Sequence, residues 1–292
     1  MQPRTFTAEK FFADRMLPVS LVYTRSSEAA NWHVHEFSEI GIVFNGSGIY
    51  ETDFAAMKIT AGDVLVMPAG GMHRFHHEND IEQFNILFQF EKLHIPSREI
   101  CKHPGFSALF RLNPQYCLKN RYYPCFKLNP VDLQRVKNLL TDAYMSQQQQ
   151  QSGSALSVYG AFLQTIPILL ANYSVADLTG NTSANPTGLV DTLDYMQQNF
   201  RKNLQMQELA KHARMTVSSF SRHFKAATGT TPGKYLLKLR LDEARQMLLE
   251  NQFSISEIAF QTGFEDSNYF SRIFRIYSGM SPREFRNRNT QS

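Results

Sequence analysis

The spacing of apolar residues divides the chain into a β-rich N-terminal part and a helical C-terminal part. Between residues 30 and 90, short apolar runs alternate with turns rich in Gly, Asn and Asp, which is typical of strands. Residues 40–44 and 49–53 flank the sequence Asn-Gly-Ser-Gly, which predicts a β-hairpin. From Pro130 the apolar residues recur at helical spacing, first at Leu133, Val136 and Leu140, and then at Val158 and in the turns after it.

Two polar segments have the composition of linkers. Residues 146–154 read SQQQQQSGS, and residues 173–186 are rich in Ser, Thr, Asn and Gly. We therefore predict four parts: a β domain over residues 1–128, connecting helices over 129–173, a linker over 174–186 and a helical domain over 187–292. We expect the connecting helices, which carry apolar stripes, to pack against the β domain or against a second chain.

The net charge of +4 is concentrated in the helical domain, which holds 15 Lys and Arg against 10 Asp and Glu. This excess favours a polyanionic partner for that domain. No apolar stretch reads as long enough to span a membrane, and no secretion signal is visible. The three cysteines show no paired spacing, which fits reduced thiols. We expect a cytoplasmic protein with no membrane partner.

The helical domain contains an internal repeat with a period of 50 residues. The segment 220–225 (FSRHFK) returns as 270–275 (FSRIFR), and Gly229 and Pro232 return as Gly279 and Pro282. Each copy reads as a short helix, a tight turn and a second amphipathic helix, which is the helix-turn-helix pattern. Gly263 suits a left-handed backbone position in the second turn, and Arg214 takes the comparable place in the first.

The outward face of each second helix carries short polar groups beside cationic ones, a mixture that suits insertion into a DNA major groove. Arg bonds a guanine edge with two hydrogen bonds, and Asn does the same with adenine. Residues 231–250 read as one long helix that would space the two units by close to one turn of DNA. The predicted DNA-binding residues are Ser218, Ser219, Ser221, Arg222 and Lys225 in the first copy, and Ser267, Asn268, Ser271, Arg272 and Arg275 in the second.

These motifs make residues 187–288 similar to the DNA-binding domain of the AraC/XylS family of transcription regulators. The segments 255–259 (ISEIA) and 263–272 (GFEDSNYFSR) resemble the second motif of that family, followed by its Gly-x-x-Pro at Gly279 and Pro282. The resemblance implies that both second helices touch bases and that RNA polymerase is contacted nearby. Arg214 departs from the usual Gly and leaves the angle of the first unit open.

A histidine cluster stands out in the β domain. His33, His35 and Glu39 fit the first cupin-type motif, and His73 falls in the second. The first three share parity, so one strand would place them on one face, with His73 on a neighbouring strand. Residues 20–92 thus resemble the cupin-like sensor of AraC-type regulators, and the fold class is α+β: a double-stranded β-helix barrel, connecting helices and an all-α domain.

Three alternatives remain open for this cluster. It lines a pocket for a small effector, together with the adjoining Trp32; it binds a divalent Ni, Mn, Fe or Zn ion; or it is scaffold. We favour the effector pocket and expect no obligatory cofactor.

The function predicted first is a ligand-responsive, sequence-specific DNA-binding regulator, not an enzyme. The chain also resembles sugar-sensing members of the family, and this resemblance includes residues 104–110. It implies that the protein activates carbohydrate-utilisation genes. It would bind double-stranded DNA, a sugar effector and RNA polymerase, and form a homodimer. The alternatives are a metal-dependent cupin enzyme fused to a DNA-binding domain, or a regulator whose barrel only dimerises.

Overall fold

A computed structural model describes residues 3–12, 17–26, 31–77, 80–89, 105–173, 178–179 and 186–290, together with 92, 93, 95, 100 and 103. The chain divides into two compact units, residues 1–190 and 191–292. The first is rich in strands and the second is helical, so the α+β prediction is confirmed.

Two five-stranded sheets form the N-terminal sensor unit, within the part of the chain that the structure describes. The first sheet has the order β1 (Arg4–Phe6), β3 (His33–His35), β8 (His73–His77), β5 (Ser47–Thr52) and β6 (Ala56–Thr60). The second has the order β11 (Cys125–Lys127), β7 (Asp63–Met67), β4 (Ser38–Asn45), β9 (Ile81–Phe88) and β2 (Val19–Ser26). Apolar side chains from both sheets, among them Val43, Leu65, Ile59 and Phe75, form a common buried cluster.

The predicted hairpin across residues 40–53 is wrong. Strand β4 pairs with β7 and β9, whereas β5 pairs with β6 and β8 in the other sheet. Gly46 makes the crossing between the sheets with φ of 85°, and a Cβ there would lie 2.0 Å from the carbonyl oxygen of Asp80. The Gly-rich turn therefore serves a change of sheet, which a local pattern cannot distinguish from a hairpin.

Alternate residues of β4 face two different environments. Ile40, Ile42 and Phe44 belong to the cluster that includes the connecting helices, whereas Val43 belongs to the cluster between the sheets. Since side chains alternate along a strand, Glu39 shares the inward side with Val43. This alternation carries the Glu39 carboxyl group into the interior.

The connecting helices are α4 (Pro130–Gln148) and α5 (Ser154–Asn172), and they follow α1 (Ala8–Phe11), α2 (Phe106–Phe110), α3 (Pro114–Lys119) and β10 (Tyr122–Tyr123). Helix α5 is long and apolar enough to cross a membrane by length and composition alone. Its residues Val158, Phe162, Ile166 and Leu169 are buried with Val136 and Leu140 of α4 against β2 and β9, which is the pattern of a core helix.

Residues 146–154 do not form a linker. Helix α4 continues to Gln148, and only a short turn separates it from α5. The side chain of Gln147 accepts from the backbone N–H of Leu21 at 3.2 Å and donates to the backbone carbonyl of the same residue at 2.8 Å. Within this polar run, Gln147 therefore attaches helix α4 to strand β2.

The predicted linker over residues 174–186 lies mostly outside the described residues. Within it, β12 (Leu178–Thr179) pairs antiparallel with β10, and Pro186 begins helix α6 (Pro186–Asn199). The remaining helices are α7 (Met206–His212), α8 (Val217–Thr228), α9 (Pro232–Glu250), α10 (Ile255–Gln261), α11 (Ser267–Ser278) and α12 (Pro282–Thr290). Helix α9 has 19 residues, so it is about 28 Å long.

Candidate functional site

The two helix-turn-helix units repeat each other at the level of individual contacts. Phe220 and Phe224 of α8 are fully buried with ring centroids 5.4 Å apart, and Phe270 and Phe274 of α11 are buried with centroids 5.6 Å apart. Each helix ends at a glycine in the left-handed conformation, and a Thr or Ser hydroxyl in its last turn contacts two backbone carbonyl oxygens. The 50-residue repeat is thus a structural repeat.

Each recognition helix, α8 and α11, presents the predicted polar face opposite its buried phenylalanines. The long or charged members of the predicted set are exposed, and the serines other than Ser218 are half-buried. The Ser271 hydroxyl donates to the backbone carbonyl of Ser267 at 2.9 Å, which holds it against the helix. The exposed members are Ser218, Arg222 and Lys225 on α8, and Asn268, Arg272 and Arg275 on α11.

The turns before the two recognition helices have the same backbone geometry. Arg214 has φ of 55° and Gly263 has φ of 90°, both in the left-handed region. The N–H of the next residue closes each turn: Met215 donates to Ala210 at 2.9 Å, and Phe264 donates to Ala259 at 3.0 Å. The first unit therefore keeps the geometry of the second despite having Arg in place of Gly.

The second unit is more strongly capped than the first. Ser254 and Glu257 form a reciprocal capping box at the start of α10, and Ser281 and Glu284 exchange the same two hydrogen bonds at the start of α12. In addition, the Arg272 guanidinium lies 5.5 Å from the ring centre of Tyr269, a cation–π contact that limits its rotamers. Tyr269 was not among the predicted residues, although an aromatic residue three positions before Arg on a helix is a usable signal.

In the sensor unit, the structure brings the four predicted cluster residues together, but from both sheets. Strand β3 ends at His35 and Glu39 lies on β4 of the other sheet, so the prediction of a single strand is wrong. The prediction that His73 comes from a neighbouring strand is confirmed, since it pairs directly with His33. One nitrogen from each imidazole lies within 4.8 Å of the others, and Nε2 of His35 and of His73 lie 3.5 and 3.8 Å from the Glu39 carboxyl oxygens.

Burial disfavours charge on this cluster. It raises the pKa of Glu39 to about 8, and together with the nearby His33 it lowers the pKa of His35 to about 3. The pKa of His73 is lowered by burial, and further by His33 and His35. The imidazoles are therefore neutral at physiological pH, the state in which a ring nitrogen can bind a metal.

The ring of Trp32 lies against the side chain of Arg74. The Arg74 guanidinium sits 4.6 Å from its ring centre, and Arg74 in turn pairs with Glu51, which also contacts His76. Direct contact of Trp32 with an effector stays a prediction. Of the predicted sugar-sensor resemblance over residues 104–110, Pro104 lies outside the described residues, and 106–110 form helix α2, whose five residues are buried in the core.

A narrow cavity opens beside the cluster, between the two sheets. Its free volume is about 10 Å³, room for about one water molecule, and it is lined in part by Tyr50, Thr52, Phe54 and Tyr123. Tyr50 joins it to the cluster, because its ring centre lies 5.5 Å from that of His73. No sequence pattern predicts this cavity, because its walls come from strands of both sheets, among them β5, β6, β7 and β11.

Comparison with known proteins assigns both units to one family. Residues 21–165 match the family profile described as an AraC-like ligand binding domain, and residues 209–288 match a helix-turn-helix domain. The HTH-type transcriptional activator RhaS of Escherichia fergusonii is 30% identical over 281 residues, which cover 94% of each chain.

Two further relatives are similar over different parts of the chain. The RhaS activator of an Enterobacter species is 28% identical over 277 residues, which cover 94% of each chain. A transcriptional regulator with an AraC-type DNA-binding domain from Chromobacterium violaceum, known from a crystal structure, is 31% identical in sequence. The match covers 38% of this chain and 98% of the Chromobacterium chain, with a TM-score of 0.34. With its ligand-binding domain and its two helix-turn-helix units, the chain belongs to the AraC/XylS family of DNA-binding transcription regulators.

Proposed function

We propose that this protein activates transcription of carbohydrate-utilisation genes in the cytoplasm when a small sugar binds its sensor unit. The observation that carries the DNA-binding part is the pair of structurally equivalent recognition helices with exposed Arg222 and Arg272 at matching positions. Because the two helices differ in the other side chains, each chain would bind an asymmetric site of about 17–20 base pairs, with two half-sites one helical turn apart.

The sensor would bind its effector in the cavity beside the histidine cluster. Its lining combines the aromatic side chains of Tyr50, Phe54 and Tyr123 with that of Thr52, whose hydroxyl group is bonded to the backbone of Ala55. Aromatic side chains of this kind suit the apolar face of a sugar ring. Binding would require the cavity to widen and Phe54 to move, because the ring centre of Phe54 lies 4.9 Å from that of Tyr123.

The partners follow from the same proposal. RNA polymerase would be contacted from the DNA-bound C-terminal unit, and a homodimer would form through the sensor unit, where Val131 of α4 and Leu156 of α5 are exposed. A regulator needs no catalysis, only a different affinity of its effector for two states of the protein.

The test is a thermal-shift screen of the full chain with monosaccharides, followed by DNA binding and transcription in vitro on the region upstream of its neighbouring genes. We expect one sugar to raise the melting temperature and to increase transcription. Phe54→Ala and Thr52→Val should weaken that response, whereas Thr24→Val, on strand β2, should not. Sequence-specific DNA binding that no sugar alters would refute the carbohydrate effector and leave the DNA-binding assignment standing.

A further inference from the structure

We propose that Arg240 of helix α9 fixes the first helix-turn-helix unit against the second and thereby sets the spacing of the two DNA half-sites. The inference deepens the proposed function, because it rests on both recognition helices binding one site. Arg240 is a positioning residue in this proposal, since it acts through the placement of helices α8 and α11 and is assigned no contact with a base.

The Arg240 guanidinium joins α9 to the first unit. Its Nε donates to the backbone carbonyl of Phe200 at 2.8 Å, and its Nη2 donates to that of Lys202 at 2.9 Å. Both residues lie between α6, which ends at Asn199, and α7, which begins at Met206. Carbonyl groups at a helix end have no partner inside the helix, and a guanidinium presents its N–H groups in a rigid fork that can bind two of them.

The same guanidinium faces the second unit. Its carbon atom lies 5.9 Å from the ring centre of Phe264, and a Cβ at Gly263 would lie 3.0 Å from its Nε. That Cβ would also lie 2.7 Å from the backbone oxygen of Arg201, so the turn before α11 approaches the first unit directly. Arg240 therefore lies where helix α9, residues 200–202 of the first unit and the turn of the second unit meet.

This junction is well separated from the covalent link between α8 and α9. The link consists of residues 229–231, and beside it Phe224 of α8 packs on Tyr235 of α9 with ring centroids 5.3 Å apart. Arg240 comes eight residues after Pro232, which is about 12 Å further along the helix. A body attached at two separated points does not rotate freely about either one. We infer that the Arg240 contacts stop the first unit from rocking about the link.

The two units are held to α9 by different kinds of contact. The second packs on it through a buried apolar cluster that includes Leu248 and Phe270. Residues 200–202 are held by polar contacts, since Arg201 pairs with the buried Glu243 at 3.0 Å in addition to the bonds from Arg240. Arg201 is exposed, which limits the contribution of its ion pair, whereas Arg240 is half-buried. Loss of the Arg240 side chain should therefore loosen the junction and leave the apolar core of the second unit closed.

The test measures the affinity of the full chain for duplexes that differ in the distance between the half-sites. The preferred site is selected from random DNA, and one or two base pairs are then inserted or deleted between its half-sites. Each base pair changes the rotation between the half-sites by about 35°. We expect one inserted base pair to weaken binding of the parent protein at least ~10-fold, and binding of Arg240→Ala ~3-fold or less. Arg240→Ala should also bind the preferred site more weakly, because its two units are no longer preorganised.

Two further variants make the test specific. Arg245→Ala is the matched control: it removes the same charge from the same helix, but the Arg245 guanidinium lies 5.5 Å from the ring centre of Phe285 in the second unit. It should keep the spacing dependence of the parent. Arg240→Lys retains the charge and loses the fork, so it should tolerate changed spacing as Arg240→Ala does. This conservative variant carries the test if Arg240→Ala does not fold, which circular dichroism shows.

The possible results separate this proposal from the proposed function. A folded Arg240→Lys variant with the spacing dependence of the parent would overturn the role of Arg240. An equal loss of affinity at every spacing would also overturn it, because that is the result of a structural weakening alone. A parent protein whose affinity does not depend on the spacing would overturn the proposed arrangement of two half-sites as well.

Discussion

Arg214 and Gly263 occupy the same left-handed position in the two helix-turn-helix turns, with φ of 55° and 90°. A non-glycine residue is strained there by about 1 kcal/mol. The Arg214 side chain is exposed, so packing adds no further cost to the strain of its backbone. At Gly263, by contrast, a Cβ would lie 2.7 Å from the backbone oxygen of Arg201.

We therefore expect Arg214→Gly to stabilise the C-terminal unit by about 1 kcal/mol. Gly263→Ala should destabilise it by roughly 2–4 kcal/mol, since overpacking adds to the backbone strain. Gly279→Ala separates the two effects: φ there is 79°, and among the described residues nothing lies within 4 Å of the added Cβ. Urea unfolding of the C-terminal unit measures all three, and equal losses for Gly263→Ala and Gly279→Ala would contradict the packing argument.

The recognition helices can be tested one at a time. Arg222→Ala and Arg272→Ala should each weaken DNA binding by about 1–3 kcal/mol and relax base preference at different positions of the site. Arg135→Ala removes the same charge from helix α4 of the sensor unit and should leave DNA binding unchanged. Footprints and affinities determine the outcome, and two variants that bind like the parent would show that the assigned face is wrong.

The C-terminal unit should function without the sensor. We expect a fragment of residues 180–292 to fold and to bind its site with an affinity that falls steeply as salt rises, because its basic side chains displace counterions from phosphates. Circular dichroism and a salt series of gel-shift assays check this. A folded fragment with no preference for its site over random DNA would contradict it.

The packing of helix α4 on strand β2 offers a stability test. Gln147→Ala removes both side-chain hydrogen bonds to the Leu21 backbone and should cost about 1–3 kcal/mol, since it leaves backbone groups unpaired. The exposed neighbour Gln148 is the control, and Gln148→Ala should have little effect. Trp32 is the only tryptophan in the sequence, so its fluorescence during urea unfolding reports on the sensor unit alone. Equal midpoints for the two variants would refute the docking role of Gln147.

The sequence predicted the C-terminal unit better than the sensor. Residues such as Phe220, Phe224, Phe270 and Phe274 pack within single turns of one helix, so their roles follow from local spacing. Glu39 meets His73 only because two sheets face each other, and the turn at Gly46 is fixed by its close approach to Asp80. Neither contact produces a regular spacing of residues in the sequence from which it could be predicted.

Because the two recognition helices are not equivalent, we expect the protein to bind its DNA site in one orientation. A palindromic site reads the same from both ends, but α8 carries Ser218 where α11 carries Asn268, so we expect one orientation of the chain on the duplex to be preferred. A promoter can therefore set, by the orientation of the site alone, which end of the C-terminal unit points toward the start of transcription. Inverting the site without changing its sequence or distance would then switch a gene off while leaving occupancy intact.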